Sequence, residues 1–127
     1  MFIPLTDYGQ TSDDEALNKI LSELDDFNDD NPICQSYKLV YKPNYCILET
    51  TRDNKTIFKT TLCGILITYD NEHNIYLRCD GKNCIWEGGK AISGRDICFI
   101  TPYAAKKGYE LLVKLQNHCN TSPACPN

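Results

Sequence analysis

Cys79 to Trp86 reads Cys-Asp-Gly-Lys-Asn-Cys-Ile-Trp, two cysteines with four residues between them, one a glycine. Two thiolates on a short Gly-bearing turn can form half of a tetrahedral zinc site, because Zn²⁺ favours Cys sulfur and His nitrogen and structural sites use four such ligands. Gly81 lets the turn reach a positive φ without steric cost, so both sulfurs can face inward. The second half of the site must come from downstream. Cys98 and Cys119 are the first choices, and His118 or Cys125 can replace either. The competing readings of Cys79 and Cys84 are free thiols or a disulfide across the turn.

Over about a dozen residues, Cys-x4-Cys-x-Trp-Glu-Gly resembles the knuckle of a zinc ribbon, although the commonest ribbon spacing is Cys-x2-Cys. The resemblance implies a tetrahedral zinc held by the knuckle and a second ligand pair. Cys34, Cys46 and Cys63 sit in or beside apolar strand-like segments and read as buried small hydrophobes.

Eight cysteines in 127 residues would mean four disulfides in a secreted chain, with 105 possible pairings. The N-terminus Met-Phe-Ile-Pro-Leu-Thr-Asp-Tyr shows neither a basic n-region nor an h-region. Together with Met1, this predicts a cytoplasmic protein, in the host cytoplasm if viral or phage-encoded, with reduced or metal-bound cysteines.

Other catalytic signatures are missing. His73 lies in a polar turn segment. His118 adjoins Cys119 on a predicted helix, where neighbours do not face each other, so the two make a poor nucleophile–base pair. The sequence has no Walker loop, Rossmann fingerprint, His-Glu-x-x-His or Gly-x-Ser-x-Gly. Gly88-Gly89-Lys90 and Gly94-Arg95 do not open a helix, as a phosphate site would require, and read as a loop.

Charge is uneven. Residues 1–30 carry nine acids against one base, a balance of −8, while the rest carry eight against twelve, +4. The acids Asp13, Asp14, Glu15, Glu23, Asp25 and Asp26 fall on one predicted helix, and Asp29 and Asp30 crowd its far end. A charge run is most simply a solvated face; the sharper reading is a docking face for a basic protein surface. A nucleic-acid module is usually net basic, and this chain has a pI near 5.1.

The elements follow from periodicity. Residues 1–10 read as an extended lead-in. Ser12 and Glu15 form a capping box for a helix over 12–27, with Leu17, Ile20, Leu21, Leu24 and Phe27 as its apolar stripe. The acids beyond predict fraying, because the helix dipole disfavours them there. Strands follow over 37–42, 45–51, 56–69 and 75–79, with a bulge or bend at Gly64, and a fifth over 96–100. Thr101-Pro102 opens a second helix as N-cap and N1. Ala104, Gly108, Leu111, Leu112, Leu115 and Cys119 form its stripe, with Gly108 permitting close approach. Residues 120–127 read as an irregular tail.

This order predicts a single α+β domain over 1–127, an antiparallel four- to five-stranded meander flanked by two helices in two layers. The expected function is a non-enzymatic protein-binding module, an inhibitor or adaptor such as viruses and phages encode. The strong preference for lysine over arginine, ten to three, is the bias of AT-rich genomes common among them. The alternatives are a zinc-stabilised nucleic-acid-binding domain and a cysteine-dependent enzyme. No apolar run reaches transmembrane length.

Overall fold

The computed structural model describes residues 5–31 and 33–125, with side chains from Glu15 onward. It is an α+β fold with two helices, one at each end of the chain, and two antiparallel sheets. Helix α1 spans Leu5–Asp30 and α2 spans Pro102–Asn120. The strands are β1 Lys38–Lys42, β2 Ile47–Arg52, β3 Lys55–Thr61, β4 Leu66–Tyr69, β5 Asn74–Arg78, β6 Ile85–Glu87, β7 Lys90–Ile92 and β8 Gly94–Cys98.

The expected lead-in is helical from Leu5, and α1 runs to Asp30. The Ser12–Glu15 signal is local. Serine costs only a few tenths of a kcal/mol inside a helix, so a cap-like pair does not compel a helix start. The far end is held by tertiary contacts rather than propensity. Leu24 and Phe27 are buried, and Phe27 meets Phe99 edge-on at 6.0 Å between ring centroids. The Asn28 amide donates to Leu39 O at 2.8 Å, and the Leu39 amide donates back to Asn28 Oδ1 at 2.9 Å. This pairing continues the ladder on the open edge of β1, which would otherwise present unpaired backbone.

Instead of one meander, the strands divide into a five-stranded sheet, ordered β1-β2-β3-β6-β7, and a three-stranded one, ordered β4-β5-β8. The expected strand over 56–69 breaks at Gly64, which has φ +70°, and its second half changes sheet. The break is fixed from outside: Gln116 Nε2 of α2 donates to Leu62 O at 3.1 Å and to Ile65 O at 2.7 Å. The chain returns to the larger sheet through the Cys79–Cys84 loop. The Gly-rich loop expected over 88–94 instead supplies the turn and second strand of the β6–β7 hairpin and the start of β8. Gly88 and Gly89, both at positive φ, make the hairpin's two-residue turn between the paired Glu87 and Lys90.

The buried residues form one cluster drawn from α1, both sheets and α2. Thr101 caps α2, accepting from the Ala104 amide at 3.1 Å, with Pro102 at its first turn. The predicted α2 stripe is buried, with Ala105 added to it. Gly108 is where close approach matters. A Cβ built there would stand 2.9 Å from Phe99 Cζ and 3.2 Å from Phe27 Cζ, so glycine lets the two rings reach the helix axis.

Candidate functional site

All eight cysteines are paired, with no free thiol. Cys34–Cys98 ties the segment after α1 to the end of β8, where Ile33 also bridges Phe99. Cys46–Cys119 ties the β1–β2 turn to the end of α2, and Cys63–Cys125 ties the β3–β4 crossing to the C-terminal segment. Cys79–Cys84 closes the knuckle, which is the disulfide alternative for that turn. The loop is also hydrogen-bonded to the end of β7 and the residue after it: the Cys84 amide donates to Ile92 O at 3.2 Å and the Cys79 amide to Ser93 O at 2.8 Å.

Four disulfides correct the expectation of a cytoplasmic protein. Glutathione and thioredoxin keep cytosolic thiols reduced, so this framework belongs to an oxidising, extracellular or secretory environment. Cys34, Cys46 and Cys63, expected as buried thiols, are each half of a bridge.

Cys79, Cys84, Cys98 and Cys119, grouped from sequence as zinc ligands, are distributed over three bridges. A bridged sulfur carries no thiolate charge with which to bind metal. Among the described residues, sulfurs of more than one bridge come together at Cys46, Cys63 and Cys125, within 4.8 Å of one another. They belong to two neighbouring disulfides. The Tyr41 hydroxyl lies 2.6 Å from Cys119 Sγ and 3.5 Å from Cys46 Sγ, and burial pushes its phenol pKa up, keeping it neutral. His118 adjoins this corner with Nδ1 buried and unpartnered among the described residues. His73 is exposed, and its Nδ1 lies 3.2 Å from Phe99 O.

The acidic residues divide. The side chains of Asp13 and Asp14 lie outside the described residues. Glu15, Asp25, Asp26, Asp29 and Asp30 are exposed, and Glu23 is half-buried with its carboxylate 3.1 Å from Lys114 Nζ of α2. Asp25 and Asp29 are four residues apart, as are Asp26 and Asp30, so neighbouring Cβ atoms lie about 5–6 Å apart on one helix surface. The result is a two-by-two carboxylate patch over the last two turns.

This patch borders a groove of about 560 Å³ between α1 and α2. Phe27 and Leu111 line its apolar part, Asp26 and Asp30 one wall, and Tyr103 and Lys107 the other. Tyr103 is 65% exposed, and the Lys107 ammonium lies 5.6 Å from its ring centroid. Sequence reasoning missed this second wall because Tyr103 and Lys107 stand on the polar side of α2. Their four-residue spacing was the available signal.

The outer face of the five-stranded sheet carries opposite charge. Val40, Glu49, Lys59, Trp86 and Ala91 form one cross-strand row, with Lys38 and Lys42 beside Val40 on β1. Lys42 is bonded to Glu49 at 2.8 Å. That ammonium holds the Glu49 carboxyl below the usual range; burial opposes the shift, and the Thr56 hydroxyl, donating at 2.9 Å, adds to it.

Comparison with models of protein families, with curated proteins and with solved structures gives no match to this chain. Among the described residues, no helix is long and apolar enough to cross a membrane.

Proposed function

We propose that this protein is a non-enzymatic binding module of an oxidising compartment. It docks a basic protein surface through the C-terminal turns of α1 and acts as an inhibitor or adaptor. The observation that carries this reading is the two-by-two patch of Asp25, Asp26, Asp29 and Asp30. Four carboxylates at the negative end of a helix repel one another and oppose its dipole. A cationic partner relieves both penalties, so the arrangement costs the free protein and favours the complex. The neighbouring groove adds apolar area and the exposed Tyr103, the side-chain type that anchors interfaces.

The test is affinity capture from extracellular fluid across a salt series. Wild type is compared with a variant carrying Asp25→Asn, Asp26→Asn, Asp29→Asn and Asp30→Asn. A basic protein held by wild type at low salt, released as salt rises and lost with the variant supports the reading. Equal capture by both proteins rejects it.

The lysine-bearing sheet face around Trp86 favours a second reading, contact with a nucleic acid. Phosphate contacts must weaken steeply with salt. The absence of any mobility shift with nucleic acid at low salt removes this reading.

A further inference from the structure

Two triplets in the chain have the form Asn-x-Thr or Asn-x-Ser without proline in the middle: Asn54-Lys55-Thr56 and Asn120-Thr121-Ser122. Such a triplet is the acceptor for N-linked glycosylation, which takes place in the same oxidising secretory compartment that closes disulfides. The two differ sharply in structure.

Asn54 is the second residue of the two-residue turn joining β2 to β3, where Asp53 and Asn54 have φ of +53° and +63°. Residues 52–56 are all exposed. The tip projects from a finished hairpin, so the Asn54 amide stays accessible and a glycan displaces no packing; Thr56 is exposed beside it, its hydroxyl donating to Glu49 Oε1 at 2.9 Å. Asn120 is also exposed, but it is the last residue of α2. The backbone there is committed: the Thr121 amide and hydroxyl donate to His118 O, and the Ser122 amide donates to Cys119 O at 2.9 Å. Cys119 and Cys125, on either side, are both bridged. An acceptor must be presented in a non-helical chain, and in the folded molecule the first triplet opens in an exposed turn while the second opens inside α2.

We infer that Asn54 is an N-glycosylation site. The donor is an oligosaccharide carried on a lipid pyrophosphate. The Asn54 side-chain nitrogen attacks the anomeric carbon of the first sugar. The bond from that carbon to the pyrophosphate oxygen breaks, the lipid pyrophosphate leaves with the electron pair, and the amide gives up one proton to a base of the transferase. Nothing is oxidised or reduced. The assignment is independent of what α1 binds.

The full chain is secreted from eukaryotic cells behind a cleavable leader and examined with its disulfides intact. The expected result is a mobility step removed by a peptide N-glycanase, with Asn54 converted to Asp in the peptide map. Asn54→Gln and Thr56→Ala lose the step. Thr56→Ser keeps it, and Glu49→Ala, which removes the Thr56–Glu49 hydrogen bond while leaving the triplet whole, keeps it too. An additional step at Asn120 leaves the assignment standing. A secreted wild type with unmodified Asn54, or with glycan at Asn120 alone, overturns it. The wild-type map decides the matter even where a variant fails to fold.

Discussion

The two helices are held in different ways. Helix α2 is fixed along its whole length: Thr101 and Pro102 set its start, its stripe is buried, Gln116 clamps the β3–β4 crossing, and Cys119 bonds its end to the β1–β2 turn. Helix α1 is longer, yet among its described side chains only Leu24 and Phe27 are fully buried, while Leu17, Ile20 and Leu21 are half-covered. Its anchor is the last two turns, where the Asp patch also lies. Local stability tracks buried contact, so the patch occupies the best-held part of the less secured helix.

Removing the far anchor of α2 has the largest expected effect. Cys46→Ser with Cys119→Ser opens a bridge of sequence separation 73, worth about 4 kcal/mol in the chain-entropy account. Cys79→Ser with Cys84→Ser opens one of separation 5, worth about 2 kcal/mol on the same basis. Equal losses in denaturant titrations of the two double variants would show that the long bridge adds nothing through its loop length.

Phe27→Ala should cost about 3 kcal/mol, because it empties a buried ring site against Phe99. Leu17→Ala, on the half-covered stretch, should cost under about 1.5 kcal/mol, in proportion to the smaller area it covers. Hydrogen exchange should show α1 opening in Phe27→Ala while α2 keeps its protection. Simultaneous loss in both helices would mean that they unfold as one unit.

Gly108→Ala probes the place where the helices meet. The added methyl group must displace Phe99 or Phe27, at about 1–2 kcal/mol, against the usual gain from removing glycine inside a helix. A stabilised variant in thermal melting would show that the rings move aside freely.

The smallest effect lies outside both helices and calibrates them. The folded Glu49 carboxyl titrates below its ordinary value of 4.5, chiefly through Lys42. Its contribution is therefore complete above that value and is lost as pH falls through the folded pKa. Glu49→Gln should remove about 1 kcal/mol at neutral pH and flatten this part of the acid limb. An unchanged limb would show that the pair is not formed in solution.

Much of α2 was legible because its signals are local and agree: an N-cap, a proline at the first turn, and apolar residues at helical spacing. Gly108 was legible for the same reason, since a glycine inside such a stripe asks for a neighbour. The start of α1 misled because a capping pair reports what a start would look like, not whether one is needed. The division into two sheets was hidden, since Gly64 announces a bend but not which sheet receives the strand. Cysteine pairing was hidden more deeply. Nothing beside Cys46 names Cys119, which lies on a different element and meets it only through the tertiary fold. The compartment was hidden with it, because Met1 and an N-terminus without an n-region or h-region pointed to the cytoplasm against the even count of eight cysteines.

The three long bridges interleave, Cys34 to Cys98, Cys46 to Cys119 and Cys63 to Cys125. A protease that cuts a single peptide bond anywhere from Cys34 to Cys125 therefore releases nothing, because at least one bridge spans every such cut. The segment before Cys34 has no such protection. One cut between Asp30 and Cys34 frees α1 from all four bridges, leaving only non-covalent contacts to hold it. In fluids rich in proteases the body of the molecule would outlast its acidic helix, and that short connection would set the lifetime of whatever the helix binds.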